Sequence, residues 1–140
     1  MQVTEQDIAR IPRGNVRAPV AEFARVWIEA ERRCEVRGVQ DWRAAGVAMT
    51  CRWMGAAIVR PEDGRRWYPA KAPVTHRNRT AYEELIEAEF LAAEKLDLKR
   101  PRPEWLSDQA GWIEGVCATL RWAWRRSGPV PLQLDTAEQR

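Results

Sequence analysis

The sequence predicts an all-α fold, a four-helix bundle, and three observations support that prediction. Four segments carry apolar residues at spacings of three and four, the period of one helix face. Capping residues stand near the ends of these segments, and stretches rich in proline and glycine separate them. The 140 residues, 45% of them hydrophobic, are enough for one domain with a core of its own.

The first two predicted helices lie between residues 19 and 59. The first begins near Pro19, a favourable first-turn residue, and Gly38 is its expected C-terminal cap. The second begins at Asp41, a typical N-cap, and continues to about Val59. Gly46 lies within this helix although glycine is a poor helix former, which predicts the close approach of a neighbouring helix.

The last two predicted helices follow an irregular segment. The third opens with a capping box formed by Thr80 and Glu83 and runs to about Leu98. The fourth begins near Ser107 and ends at Gly128. These limits predict an extended N-terminal arm over residues 1–18, a single helical domain over 19–128 and a polar C-terminal tail over 129–140.

Two short matches between the halves indicate an internal duplication as an alternative form of this fold. The segment 28–31 reappears at 86–89, and residues 46–53 resemble 115–122 with five of eight positions identical. The matches keep the same order on corresponding helices. A duplicated helical hairpin would therefore place two similar halves about an approximate twofold axis.

The same matches single out four charged residues on apolar helix faces: Glu31, Arg52, Glu89 and Arg121. Burying an unpaired charge costs several kcal/mol, so we expect Glu31 to pair with Arg52 and Glu89 with Arg121. Two alternatives stay open. The four residues could line a polar site for an anionic ligand or a metal, or they could be exposed.

The segment 60–79 holds six basic residues and two acidic ones, so the chain's net charge of +3 is concentrated there. It is predicted to be an irregular basic loop, with a short β-hairpin across Ile58–Tyr68 as an alternative. Its candidate binding residues are Arg65, Arg66, Trp67, Tyr68, Arg77 and Arg79. Arginines interleaved with aromatic residues suit an acidic protein partner or a nucleic acid. A solvated loop without a partner is the third alternative.

The end of the fourth predicted helix supplies a second candidate surface. Trp122 and Trp124 lie about 200° apart on a helix, so they cannot share one face. One of them is expected in the core, and the other is either covered by the tail or exposed. We take Trp124 and its neighbour Arg125 as candidate anchors for a partner.

Signatures of known enzyme chemistry are missing from the sequence. It contains no phosphate-binding glycine loop and no nucleophile elbow. The only histidine, His76, lies in the basic loop, and the three cysteines are interpreted as buried structural thiols. The Glu84-x-x-Glu87 spacing resembles one acidic motif of the helical nucleotide pyrophosphohydrolases, whose second acidic motif has no counterpart in this chain. The sequence therefore predicts neither a cofactor nor a metal.

These observations favour a non-enzymatic accessory or adaptor protein that binds another protein, or a second copy of itself, through Trp and Arg anchors. The alternatives are a nucleic-acid-associated protein that uses the loop 60–79 and a small helical enzyme with a Glu/Arg site. The polar N-terminus and the lack of a long apolar run predict a cytoplasmic protein without a membrane partner. The excess of arginine over lysine fits a GC-rich bacterial genome.

Overall fold

A computed structural model describes residues 1–36 and 40–134, and this part of the chain forms six helices and one two-stranded sheet. The elements are α1 (Glu5–Ala9), α2 (Val20–Cys34), α3 (Trp42–Met54), β1 (Ile58–Val59), β2 (Tyr68–Pro69), α4 (Glu83–Leu98), α5 (Glu104–Ser107) and α6 (Trp112–Ala123). The prediction of a mainly helical fold is confirmed. Within the described ranges, none of the helices combines the length and the apolar character needed to cross a membrane.

The four long helices pack in the order α2, α3, α6 and α4. Helix α3 lies between α2 and α6, and α4 packs on the other side of α6. Aromatic side chains fill the core, with Trp27 and Trp53 almost wholly buried. Phe23 of α2 stacks on Trp122 of α6 with ring centroids 6.3 Å apart and planes 11° apart. The core therefore joins all four helices into one unit.

Two glycines let α3 and α6 cross at backbone contact. A Cβ atom at Gly46 would lie 2.2 Å from the carbonyl oxygen of Trp112, and one at Gly115 would lie 2.3 Å from that of Arg43. Gly46 thus faces Trp112, three residues before Gly115, and Gly115 faces Arg43, three residues before Gly46. The contacts of the two glycines are reciprocal, and the close approach predicted at Gly46 is present.

The first 18 residues are docked against the domain and do not form an extended arm. Residues 5–9 form α1, whose N-terminus carries a capping box between Thr4 and Asp7. Ile11 is buried in the core. The Asn15 side chain donates to the carbonyl oxygens of Met54 and Ala81, at 2.9 Å each. This side chain ties the N-terminal segment to the end of α3 and the start of α4.

The predicted C-terminus of the second helix and the predicted N-terminus of the third are wrong, whereas the third helix ends at Leu98 as predicted. Helix α3 begins after its predicted N-cap Asp41 but ends at Met54, and the chain then enters β1. Helix α4 begins at Glu83 with Tyr82 as N-cap and without the expected side-chain cap from Thr80. The hydrogen bond from Asn15 to the buried Ala81 holds this entry extended, so the helix starts later.

The fourth predicted helix, from about Ser107 to Gly128, corresponds to α6 and is shorter at both ends, from Trp112 to Ala123. Helix α5 ends at Ser107, and α6 starts only after Gly111, whose φ of +100° requires the left-handed region. Residues 129–134 are not a free polar tail, because Leu132 is buried and the Pro131 carbonyl accepts a hydrogen bond from Arg43. The expected cap Gly38 and residues 135–140 lie outside the described residues.

Candidate binding site

The short hairpin predicted as an alternative is present. Val59 pairs with Tyr68 and Ile58 with Pro69 in an antiparallel register, and a turn at Gly64, with φ +77°, joins the strands. We define the hairpin surface by its six exposed basic and aromatic residues, Arg65, Arg66, Trp67, Tyr68, Arg77 and Arg79. Trp67 is 64% exposed, and the guanidinium of Arg60 lies 6.0 Å from its ring centroid.

Arg60, at the start of the basic loop, is paired with a buried carboxylate of the N-terminal segment. Arg60 donates to the two carboxylate oxygens of Asp7 at 2.8 and 3.3 Å, and Asp7 is buried. Burial alone would raise the pKa of Asp7, but hydrogen bonds from Arg60 and Thr4 outweigh it and lower the pKa to about 2. The N-terminal segment therefore anchors the base of the hairpin. The Thr-x-x-Asp capping pattern at residues 4–7 signals the start of α1, but no local feature of the sequence points to the contact with Arg60.

Glu89 anchors the far side of the basic loop, which corrects its predicted pairing with Arg121. Its buried carboxylate accepts from the backbone amides of Val74 and Thr75 at 2.6 and 3.0 Å and from the Thr75 hydroxyl at 2.7 Å. These three bonds satisfy the buried charge without an arginine. They also fix the turn that leads into His76, whose φ is +60°.

Glu31 and Arg52 form the predicted pair between α2 and α3. Arg52 donates from Nε and Nη2 to both carboxylate oxygens at 2.6 Å each, and the Trp27 indole donates to the same carboxylate at 3.0 Å. Burial would raise the pKa of Glu31, but these hydrogen bonds and the Arg52 charge keep it lowered. Arg52 is thereby held rigidly at the end of α3.

Arg52 also lines a cleft of 340 Å³ between α3, the hairpin and the segment 70–76. The apolar lining comes from Met49, Val59, Ala70 and Ala72. The polar lining comes from Arg52, Tyr68, Lys71 and His76. No acidic residue is among the described residues that line it. The cleft was not predicted, because its residues come from segments that only the fold brings together.

In the second candidate surface, at the end of the last helix, Trp124 is buried. Trp124 is only 3% exposed, and its indole donates to Glu87 at 2.9 Å. The guanidinium of Arg17, on the docked N-terminal segment, covers its ring at 3.9 Å. Arg125 pairs with Glu87 at 2.8 Å and remains partly exposed. Trp124 is therefore a core residue, and its prediction as an anchor is corrected.

Arg121 and the three cysteines, the remaining residues considered in the sequence, lie apart from the cleft. Arg121 pairs with Glu94 at 2.7 Å, both partly exposed. Cys51 and Cys117 are buried, whereas Cys34 is exposed, contrary to its expected burial. In the part of the chain that the structure describes, no three His, Cys, Asp or Glu side chains lie close enough to hold a metal ion. Comparison with protein-family models, curated proteins and solved structures gives no match.

Proposed function

We propose that this chain is a binding module that docks through the hairpin surface onto an acidic surface of a partner protein. The 64% exposure of Trp67, which follows Arg66 in the sequence and has the Arg60 guanidinium 6.0 Å from its ring centroid, carries the proposal. Tryptophan and arginine are the residue types that most often dominate binding energy at interfaces. The charge of the surface would steer an acidic partner and fix its orientation.

The hairpin is also held in place before any partner arrives. Asp7 fixes Arg60 on one side, and Glu89 fixes the segment before His76 on the other. The Trp53 indole donates to the Arg79 carbonyl at 3.2 Å, which ties the end of the loop to the core. A surface ordered in advance loses less conformational entropy on binding.

A protein partner is favoured over a nucleic acid by the placement of the two aromatic residues. Single-stranded nucleic acid binds where aromatic rings offer successive stacking platforms along one groove. Tyr68 borders the cleft, whereas Trp67 lies beside Arg60 near the turn, so the two rings have different surroundings. The overall charge of +3 is also small for a nucleic-acid-binding chain.

Photo-crosslinking in the native host tests this proposal. A benzophenone amino acid at position 66 should crosslink to one protein, and the same probe at the exposed position 25 should not. With the probe kept at position 66, changing Arg65, Arg77 and Arg79 together to Glu should abolish the crosslink, whereas Arg25→Glu with Arg126→Glu should leave it. Equal crosslinking from both positions would overturn the proposal. Crosslinks to nucleic acid, weakened steeply by salt, would support the alternative partner instead.

Binding of the captured partner should then depend on Trp67 itself. We expect Trp67→Ala to weaken it by about 2 kcal/mol, or roughly 30-fold. The thermal midpoint should stay within about 1 °C of wild type, because truncating an exposed side chain removes little buried area.

We further propose that the scaffold is a duplicated helical hairpin arranged as a four-helix bundle, with α2–α3 and α4–α6 as its halves. The reciprocal glycine contacts support this. So do equivalent side-chain hydrogen bonds, from Thr50 to the Gly46 carbonyl at 2.7 Å and from Thr119 to the Gly115 carbonyl at 2.8 Å. In this arrangement the binding hairpin is the connection between the two halves.

A further inference from the structure

The cleft beside the hairpin has the size and lining of a small-molecule site. Its 340 Å³ lie at the lower end of the volumes that bind small ligands. Val59, Ala70 and Ala72 are buried and form an apolar floor, with Met49 at the edge. This lining calls for a short apolar group on the ligand, because apolar surface gains free energy by leaving water.

The polar side of the cleft carries cationic hydrogen-bond donors that have no partner among the described residues. Arg52 donates from Nε and Nη2 to Glu31, but its Nη1 has no hydrogen-bond partner among the described residues. The Arg52 side chain remains 23% exposed. Lys71, exposed on the same cleft, has no acidic partner in the described chain. An anion would therefore meet two donors without displacing an existing ion pair.

His76 supplies an independent observation at the same place. Its φ of +60° lies in a region that residues other than glycine seldom adopt, although histidine tolerates it better than most. The Glu89 bonds to Val74 and Thr75 hold the turn, and the His76 amide donates to the Ala72 carbonyl at 3.0 Å. Strain of this kind collects at ligand sites, where the surrounding structure maintains it.

We propose that the cleft binds a small organic carboxylate with a short apolar group, its oxygens on Arg52 Nη1 and Lys71 and its apolar group on the floor. A carboxylate fits better than a phosphate, because the bidentate edge of Arg52 is occupied by Glu31. The nearby amides of Val74 and Thr75 are likewise occupied, by Glu89. The ligand could be a free acid or the C-terminus of a peptide, which share this chemistry. The inference does not depend on the docking of Trp67.

The test is a titration followed by the backbone amide NMR signals of Ala70, Ala72 and His76. The probes are isovalerate, isovaleramide, inorganic phosphate, and an acetylated tripeptide ending in leucine with either a free or an amidated C-terminus. Saturable shifts with isovalerate and none with isovaleramide are expected. Stronger binding of the free-acid peptide than of isovalerate would identify a peptide C-terminus as the ligand, and weaker binding would identify a free acid. No saturable shift, or tighter binding of phosphate, would overturn the proposal.

A charge reversal assigns the binding to this cleft. Lys71→Glu should weaken isovalerate binding at least about tenfold, since it replaces a charge-assisted donor with a repelling carboxylate. Lys99→Glu, at an exposed lysine outside the cleft, is the matched control and should bind as wild type does. Because Lys71 is exposed, its variant should fold normally. Equal affinity of the Lys71 variant and wild type would exclude the cleft.

Discussion

Arg52 holds both carboxylate oxygens of Glu31 at 2.6 Å, and the two residues differ in their access to solvent. The Glu31 side chain is 3% exposed, and that of Arg52 is 23% exposed. Removing one partner therefore has unequal consequences. A lone Arg52 can turn one edge toward water, whereas a lone Glu31 keeps its charge in the interior.

We expect Arg52→Ala to lower the free energy of unfolding by about 3 kcal/mol, the lower end of the range for a broken buried pair, since the buried carboxylate keeps only the Trp27 indole and the Met1 ammonium, 3.4 Å away. Glu31→Ala should cost less, and the double variant should cost less than the sum of the two. Urea denaturation of the four proteins in a double-mutant cycle measures the coupling. Additive losses would show that the short contact contributes no net stability.

Acid should destabilise Arg52→Ala less than it destabilises wild type. In wild type the pKa of Glu31 is lowered, so its contribution is present above the ordinary pKa of a glutamate and is lost as pH falls. Without Arg52, only the Trp27 indole and the Met1 ammonium oppose the effect of burial, so the pKa of Glu31 should rise and acid should destabilise the variant less than it destabilises wild type. The stability gap between variant and wild type should therefore narrow from pH 7 to pH 4. A gap that widens on acidification would contradict this.

Glu89→Gln tests whether this carboxylate fixes the loop. Both backbone amides donate to the same carboxylate oxygen, so the Gln carbonyl can still accept from them, but these bonds lose their charge assistance and an NH2 group replaces the oxygen that accepts from the Thr75 hydroxyl. We expect a loss of about 1–3 kcal/mol and faster hydrogen exchange at these two amides. Glu84→Gln, at an exposed position on the same helix, is the control. If hydrogen exchange at the Val74 and Thr75 amides were unchanged, Glu89 would not be the residue that holds this loop.

Alanine at either crossing glycine should destabilise the fold although it favours helix formation. The added Cβ at Gly46 or Gly115 would meet a backbone carbonyl, which cannot turn away. Overpacking of this kind costs roughly 1–3 kcal/mol or more, beyond the gain of about 1 kcal/mol in helix propensity. Gly14→Ala is the control, because its nearest neighbour is the flexible end of Glu83, 2.9 Å away. If Gly14→Ala had the lowest thermal midpoint of the three variants, close contact between α3 and α6 at the two glycines would be contradicted.

Local spacing was enough to predict the Glu31–Arg52 pair but not its counterpart. Glu31 lies one helical turn beyond Trp27, which places it on the buried face, and Arg52 faced it across one short connection. The matching residues 86–89 suggested the same for Glu89. In the structure Arg121 instead pairs with Glu94, five positions later. The pairing of α4 with α6 therefore differs from the register that the sequence match implied, because Glu89 is already satisfied by the loop at Val74 and Thr75.

The rest of the candidate site depends on contacts between distant segments, which spacing along the chain does not encode. The N-terminal segment had only a weak apolar pattern, yet Asp7 and Asn15 tie it to the hairpin and to the helix ends. Arg17 covers Trp124 from the same segment. These polar residues made the segment resemble a free arm. Their partners became visible only once the helices were packed.

The pair between Asp7 and Arg60 gives the last prediction. The pKa of Asp7 is lowered from 3.8 to about 2 by the hydrogen bonds that outweigh its burial. A lowered pKa means that the folded state holds the proton less tightly than the unfolded state does. The stabilisation is then complete above about pH 4 and disappears as the pH falls through about 2.

Asp7→Asn keeps the shape but removes the charge, so it should cost about 2 kcal/mol at pH 7, the value of the pKa shift. The difference from wild type should shrink steadily between pH 4 and pH 2, because acid protonates Asp7 in wild type as well. Urea denaturation at pH 7, 4, 3 and 2 measures this. Asp63→Asn is the control: it pairs with Arg65 on the exposed turn, and we expect no measurable change. A loss that stays constant with pH would show that Asp7 acts through shape and hydrogen bonding, without its charge.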